Sequence, residues 1–231
     1  NVYSHSDDMT SFTKCISELL ELNGYFVFEV SYLKDLLFSG VWDYVYHEHL
    51  AYHSVKPLQK FLSSLGFELF AVELLKIKGG SIRCFAQKKN KDILVRSEIK
   101  KIISQEEKAG FYDISNFKEV EKKKNKLKKI ILNFIDSLDD NAIVASYGAS
   151  PTCTVISQEL GYVNKLSFIV DDNLEKQNTL SPGYLLPVLN SHSLTKYKVK
   201  LLIISAWRFK ELIIDRCKNF LISFLIFGKF S

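Results

Sequence analysis

The spacing of hydrophobic side chains changes from helical to strand-like within the first thirty residues. Apolar residues recur every three or four positions between 9 and 20, which predicts an amphipathic helix over 7–22. An acidic pair at 7–8 stands where an N-cap belongs, and Asn23-Gly24 stand where a C-cap belongs. The apolar run over 24–30 predicts a largely buried strand. Helix, turn and strand together predict one α/β unit of a parallel sheet.

The next part of the chain is polar and aromatic before strand-like patterns return. A short helix is expected over 33–37, followed by a polar-aromatic loop over 39–53. Ser54 opens a helix over 54–65, which a glycine ends. The alternating runs over 67–75 and 81–87 are joined through two consecutive glycines, which predicts a β-hairpin.

A charge-rich connector follows over 92–138, and its second half has a helical period. The basic run over 122–129 is interpreted as the solvated side of this helix, because charge runs usually cover a helix face in water. The apolar stripe consists of Ile114, Phe117, Val120, Leu127, Ile131, Phe134 and Leu138.

From residue 142 onward, short apolar strands alternate with helices. The strands are expected over 142–146, 166–170, 201–205 and 220–227, and the helices over 151–160 and 208–219. Strand, turn, helix and strand repeated in this way predict a small Rossmann-like domain with a parallel sheet.

Composition and charge restrict the class of partner. The chain has 231 residues, 47% of them hydrophobic, and a formal net charge of +5. This mildly basic balance suits an anionic ligand such as a nucleotide diphosphate, but it lacks the basic stripe of a nucleic-acid-binding protein. No apolar run approaches the roughly 18 residues of a membrane-spanning helix, and no signal peptide is visible. We therefore expect no nucleic acid and no membrane among its partners.

The four cysteines, Cys15, Cys84, Cys153 and Cys217, are scattered and form no CxxC pair. This pattern favours neither a disulfide framework nor a tetrahedral zinc site. It predicts a reduced, cytoplasmic protein with no bound metal.

The loop residues Tyr46, His47, Glu48 and His49 bring a phenol, two imidazoles and a carboxylate together. An imidazole can act as a base near neutral pH, a carboxylate can raise its basicity, and a phenol can stabilise an oxyanion. Such a set suits removal of a proton beside a carbonyl group. A hydrogen-bonded polar loop without chemistry, and a metal site that includes His53, stay open as alternatives, although no HExxH pattern supports the metal.

A second candidate site follows two strands of the Rossmann-like part. In the turn Tyr147, Gly148, Ala149 and Ser150, backbone amides could hold a phosphate at a helix N-terminus, or Gly148 could serve the turn alone. The pair Asp171-Asp172 follows a strand and could contact a ligand, or shape a turn.

Several of these segments together resemble consecutive motifs of the sugar C-methyltransferases. The motifs of the first half are NVYSHSDD at 1–8, FVFEVSYL at 26–33, YHEHL at 46–50 and GGSIR at 79–83. Those of the second half are YGAS at 147–150, VDDN at 170–173, KQ at 176–177 and SPG at 181–183.

This resemblance implies an α/β fold in which the C-terminal half of a class I methyltransferase Rossmann domain precedes a second Rossmann-like α/β domain. The implied limits are 1–95 for the methyltransferase part, 96–138 for a helical connector and 139–231 for the nucleotide-sugar-binding domain. The implied reaction transfers a methyl group from S-adenosylmethionine (SAM) to the carbon beside the keto group of a thymidine-diphosphate deoxysugar, through an enolate.

The resemblance also implies roles for individual residues. His49 is the expected general base, Tyr46 and Glu48 are expected to orient the sugar or stabilise the enolate, and His5 is a further active-site residue. Two residues, Asn1 and Val2, are expected near the methionine part of SAM. The expected substrate contacts in the second half are Tyr147, Gly148, Ser150, Asp171 and Asp172.

The chain departs from the family pattern because it has neither the zinc-binding domain with four cysteines nor the glycine-rich SAM loop. We therefore expect a truncated chain that binds SAM poorly and is inactive alone, or a subunit whose partner chain supplies the N-terminal half. Two further hypotheses are a non-catalytic nucleotide-sugar-binding module and a methyltransferase that acts on another carbon acid.

Overall fold

The computed structural model describes residues 2–38, 43, 45–90, 92–218 and 223–226. Their contacts divide the chain into two compact units. The first unit contains the described residues up to 38 and those over 46–118, and the second contains residues 43 and 45 and the described residues from 119 onward. The boundary after residue 118 lies within the expected 96–138 connector, whose own limits stay predictions.

The first α-helix of the first unit is α1 (Met9–Leu19). The side chain of Asp8 accepts a hydrogen bond from the backbone nitrogen of Ser11 at 2.9 Å, which confirms the predicted N-cap. The predicted C-cap at 23–24 is wrong, because Leu20 already has an extended backbone and ends the helix. Gly24 instead lies where a Cβ would be 2.3 Å from the Leu20 side chain.

A three-stranded antiparallel sheet follows, formed by β1 (Tyr25–Ser31), β2 (Phe67–Leu75) and β3 (Ser81–Lys88) in the order β1-β3-β2. The hairpin of β2 and β3 is confirmed. The predicted parallel unit is wrong, because β1 pairs antiparallel with β3 in the part of the chain that the structure describes. A helix, turn and strand pattern indicates each local conformation but contains no information on which strand lies next to it.

Strand β1 is buried on one face only. Phe26, Phe28 and Val30 point into the core, whereas Tyr25 and Val27 are 63% and 49% exposed. Successive strand residues point to opposite faces, so an unbroken apolar run does not require burial on both sides. The prediction of a largely buried strand is therefore wrong for the outer face.

Helices α2 (Leu33–Phe38), α3 (Val55–Ser64) and α4 (Ser97–Lys108) complete the first unit. The first two confirm the helices expected over 33–37 and 54–65. Residues 39–42 and 44 of the predicted loop lie outside the described residues. The core contains aromatic and aliphatic side chains from the sheet and the helices, among them Phe26, Leu58, Leu62, Phe67, Leu69, Ile82 and Ile99.

Helix α5 (Ile114–Asp136) is long, but its predicted apolar stripe is buried only near its C-terminal end. Ile131 is fully buried, while Ile114 and Phe117 are 71% and 40% exposed. Ile135, which is not part of the predicted stripe, is buried one turn after Ile131. Helical periodicity predicts the face that turns inward, but not how much of the helix length a core covers. The basic run is mostly exposed, as expected.

The second unit contains a six-stranded sheet in the order β6-β7-β5-β4-β8-β9. All neighbouring strands are parallel except the pair of β6 and β7. The strands are β4 (Val144–Tyr147), β5 (Phe168–Val170), β6 (Thr179–Leu180), β7 (Pro187–Leu189), β8 (Leu201–Ile204) and β9 (Ser223–Ile226). The alternation of strands and helices is thus confirmed, and β9 represents the described part of the strand expected over 220–227.

Helices α6 (Pro151–Glu159), α7 (His192–Lys196) and α8 (Lys210–Cys217) cover this sheet together with α5. Residues of β8 alternate between two cores: Leu201 and Ile203 pack with side chains of α5 and α6, while Leu202 and Ile204 pack with those of α7 and α8. Helices therefore cover both faces of a parallel sheet, which is the arrangement that leaves its carboxyl edge available for ligands. Among the described residues, no helix has the length and apolar character needed to cross a membrane.

Candidate functional site

The first candidate site is built where the polar loop of the first unit meets the N-terminal segment. The backbone nitrogen of Leu50 donates a hydrogen bond to the carbonyl oxygen of Ser4 at 3.1 Å. This bond brings the loop beside the short 3-10 helix Tyr3–His5, and the rings of His5 and His49 lie 5.2 Å apart. Two histidines that are 44 positions apart in the sequence therefore share one surface.

Aromatic side chains surround His49. The ring of Tyr46 lies 4.4 Å from the His49 ring, and the backbone nitrogen of His49 donates to the carbonyl oxygen of Tyr46 at 2.9 Å, which closes a turn. The ring of Tyr52 is perpendicular to His49 at 6.4 Å. Burial, and to a smaller extent the neighbouring Tyr46, raises the pKa of Tyr52 to about 12, so its hydroxyl group stays protonated at neutral pH.

The structure therefore brings together three of the four expected catalytic residues, His5, Tyr46 and His49. The side chains of His47 and Glu48 are exposed. Tyr52 was not singled out from the sequence, although its spacing of three residues from His49 is the signal that could have indicated it.

His53 is a buried residue with a different environment. Its ring stacks against Tyr3 at 6.2 Å, and burial lowers its pKa to about 4. Its Nε2 atom is buried and has no hydrogen-bond partner among the described residues. Over the whole set of residues that the structure describes, no group of three or more His, Cys, Asp or Glu side chains could hold a metal ion.

The residues expected to contact SAM are only partly described. Asn1 lies outside the described residues. Val2 is 69% exposed, and its carbonyl oxygen accepts a hydrogen bond from the backbone nitrogen of His5 at 2.9 Å. Neither observation assigns a cofactor contact to these two positions.

The second candidate site lies at the carboxyl edge of the parallel sheet, where β4 separates β5 from β8. The hydroxyl group of Tyr147 donates to Oδ1 of Asp172 at 2.7 Å, and Arg216 of α8 donates to Oδ2 of the same carboxylate at 2.5 Å. Burial, followed by the contact with Asp172, raises the pKa of Tyr147. This chain of hydrogen bonds presents a half-exposed carboxylate and guanidinium at the place where α/β sheets bind ligands.

The other expected substrate contacts use their hydrogen-bonding groups within the protein. Asp171 accepts a hydrogen bond from the backbone nitrogen of Ala149 at 2.7 Å, and Ser150 accepts one from Cys153 at 3.4 Å as the N-cap of α6. Gly148 has a φ of +107°, and a Cβ there would be 2.7 Å from the Cβ of Ala206. These contacts explain Gly148, Ser150 and Asp171 by the local structure of the turn, without a ligand.

Asp43 forms a further polar cluster within the second unit. It is 3% exposed, and its Oδ2 accepts hydrogen bonds from the indole nitrogen of Trp207 at 3.0 Å and from Arg208 and Thr152, each at 3.3 Å. This cluster could not be predicted from the sequence, because Asp43 is more than 100 positions from its partners. Lys176, which donates to the carbonyl oxygen of Ala149 at 2.7 Å, was likewise not expected at this edge.

Comparisons with known proteins agree with the motifs. Residues 76–224 match the family model described as the C-methyltransferase C-terminal domain. C-methyltransferase NovU of Streptomyces niveus is 26% identical over 221 residues, which cover 95% of this chain and 53% of that protein. The chain thus spans about half the length of this curated relative, and its mixed α/β architecture is consistent with a methyltransferase-type domain. The resemblance is confirmed: the chain belongs to the C-methyltransferase family, of which it carries the C-terminal domain.

Proposed function

We propose that this chain supplies the proton-abstracting loop and the nucleotide-sugar-binding domain of a SAM-dependent C-methyltransferase that acts on a nucleotide-linked keto-deoxysugar. The grouping of His5, Tyr46 and His49 carries the proposal. The resemblance of the sequence motifs to sugar C-methyltransferases supports the substrate class. In this proposal, the first unit represents the C-terminal half of a class I methyltransferase domain, and the second represents its Rossmann-like companion.

His49 is the proposed general base. It is half-buried beside Tyr46, and a base must combine access to the substrate with a fixed position. The proton leaves the carbon next to the keto group and is taken up by the imidazole, while the electron pair of the broken C–H bond forms the enolate. His5, whose exposed ring lies 5.2 Å away, is available to the same substrate.

The enolate oxygen needs a hydrogen-bond donor once it carries charge. The ring of Tyr46 lies closer to the His49 ring than the ring of Tyr52 does, so Tyr46 is the proposed donor and Tyr52 is a neighbouring phenol. Glu48 is proposed to contact the sugar rather than His49, because its exposed side chain can reach a hydroxyl group of a bound ligand.

SAM supplies the methyl group when it is bound. Val2 is the one expected contact that the structure describes, and its apolar, exposed side chain offers no polar group to the methionine part. Val2 alone therefore does not account for binding of SAM.

The second unit is proposed to bind the nucleotide-linked sugar at the carboxyl edge of its sheet. Tyr147, Asp172 and Arg216 present donors and acceptors there, and Lys176 adds a positive charge beside Asp171 at 3.6 Å. A cytoplasmic location belongs to the same proposal, because all four cysteines are free thiols.

Calorimetric titration of the full chain with a thymidine-diphosphate keto-deoxysugar, and separately with SAM, tests the ligand class. We expect the sugar nucleotide to bind and Asp172→Asn to weaken that binding about tenfold, which corresponds to about 1.4 kcal/mol. Asp215→Asn is the matched control, because Asp215 lies on α8 but pairs with Lys218 at 2.6 Å.

A folded chain that does not bind the sugar nucleotide would contradict the proposed substrate class. Sugar-nucleotide binding without proton removal would instead support a non-catalytic binding module.

A further inference from the structure

The carboxyl group of Glu106 is fully buried in the first unit and accepts four hydrogen bonds. Two donors are the backbone nitrogens of Val55 at 2.7 Å and Lys56 at 3.2 Å. The other two are the hydroxyl groups of Tyr32 at 3.1 Å and Tyr112 at 2.6 Å. A buried carboxylate is tolerated when its oxygens are satisfied in this way, so this group fixes four donors at once.

Two of these donors are the first amides of α3, which begins directly after the His49 loop. Ser54 occupies the N-cap position, but its side chain makes no capping hydrogen bond to the helix. Glu106 performs that role from another helix, about fifty positions later in the chain. A negative group at a helix N-terminus is favoured by the unsatisfied amides and by the helix dipole. The carboxylate therefore fixes the point at which the loop ends.

The Tyr32 contact reaches the loop from the opposite side. Tyr32 forms an isolated parallel bridge with His53, and the backbone nitrogen of Leu33 donates to the carbonyl oxygen of His53 at 2.9 Å. Glu106 thus contacts both segments that this bridge joins. It binds the hydroxyl group of Tyr32 in one segment and, in the other, the amide of Val55, two residues after His53. Burial, followed by the charge of Glu106, raises the pKa of Tyr32, which keeps this hydroxyl group a donor.

We infer that Glu106 is a positioning residue for the proposed proton abstraction. It fixes residues 53–56, while the bond from Leu50 to Ser4 fixes the loop beside His5, so the two anchors together set where His49 lies. This inference rests on the proposed function, since it assigns Glu106 a role through His49 and no contact with substrate.

Glu106→Gln in the full chain tests the inference, with Glu107→Gln as the matched control. Glutamine keeps the volume but turns an amide N–H₂ group toward donors. Glu107 is the next residue of the same helix, and its half-exposed carboxylate pairs with Lys56 Nζ at 2.5 Å. Two quantities are measured well below the melting temperature of each variant. They are the dissociation constant of the keto-deoxysugar nucleotide and the rate, at saturating ligand, at which the proton beside its keto group exchanges with D₂O.

We expect the folded Glu106→Gln variant to bind the sugar nucleotide within threefold of wild type and to exchange the proton at least tenfold more slowly. We expect Glu107→Gln to match wild type in both quantities. A folded Glu106→Gln variant that exchanges within threefold of wild type would overturn the inference, as would equal losses in the two variants.

A second variant keeps the test decisive if Glu106→Gln does not fold. Tyr112→Phe removes one donor and leaves the carboxylate in place, and we expect it to slow exchange at least threefold at unchanged affinity. Exchange at the wild-type rate in Tyr112→Phe would then overturn the inference. A wild-type chain that binds the ligand without exchanging its proton overturns the proposed function, and the inference falls with it. A wild-type chain that exchanges the proton, together with a folded Glu106→Gln variant that exchanges it equally fast, overturns the inference alone.

Discussion

The indole nitrogen of Trp207 donates a hydrogen bond to Oδ2 of Asp43 at 3.0 Å, inside a cluster where Asp43 is almost completely buried. Thr152 and Arg208 direct their donors to the same oxygen. Asp43→Ala leaves these donors without their acceptor, and we expect the free energy of unfolding to fall by about 2–3 kcal/mol. Asp43→Asn keeps an acceptor and is expected to lose about 1 kcal/mol.

Urea unfolding followed by circular dichroism measures both variants. An Asp43→Ala protein within about 0.5 kcal/mol of wild type would show that water replaces the carboxylate without cost.

Gly148 and Gly183 are glycines for different reasons: both have a positive φ, but only Gly148 also lies too close to another residue for a side chain. Both have positive φ, +107° and +83°, but a Cβ at Gly148 would be 2.7 Å from Ala206, whereas a Cβ at Gly183 would meet no atom within 4 Å. We expect Gly183→Ala to lower the free energy of unfolding by about 1 kcal/mol, through backbone strain alone. Gly148→Ala is expected to cost about 3 kcal/mol, because overpacking adds to the strain. Equal costs in thermal unfolding would contradict the close approach.

The buried His53 predicts a dependence of stability on pH. Burial lowers its pKa to about 4 in the folded state, while the ordinary value is 6.5. The unfolded chain therefore binds a proton between these values that the folded chain does not, so stability falls as the pH falls from about 6.5 to about 4. The loss from this residue is on the order of 3 kcal/mol.

His53→Phe removes the titrating group and also removes a buried nitrogen without a partner among the described residues. Urea midpoints recorded between pH 7 and pH 4 are expected to change less in this variant than in wild type. Parallel pH profiles would assign the acid sensitivity to other groups.

The sequence predicted local elements well and their partners poorly. The Asp8 N-cap, the hairpin of β2 and β3 and the alternating strands of the second unit follow from short-range patterns that hydrophobic spacing and capping chemistry encode. The antiparallel neighbour of β1 could not be predicted, because pairing depends on distant segments. Strands β6 and β7 have two and three residues, and such lengths are too short for a period to appear.

In the candidate site too, contacts between sequence neighbours could be predicted, and contacts between distant residues could not. Tyr46 and His49 are neighbours in the sequence, and their contact at 4.4 Å follows from one turn. His5 was expected there only through the family resemblance, since a hydrogen bond between distant backbone groups brings it to the loop. Glu106 gave no signal, because a glutamate in a charge-rich helix is ordinarily exposed.

We propose that His49 removes the proton beside a keto group, and exchange of that proton with D₂O tests this claim directly. Proton NMR of a thymidine-diphosphate keto-deoxysugar in D₂O follows the exchange without SAM, so the measurement isolates the first step. We expect the wild-type chain to accelerate exchange and His49→Gln to slow it by about 10²–10⁴-fold, the usual contribution of a general base. His47→Gln, at an exposed position two residues away, is expected to exchange at the wild-type rate. Equal exchange rates in the wild-type and His49→Gln chains would contradict the claim.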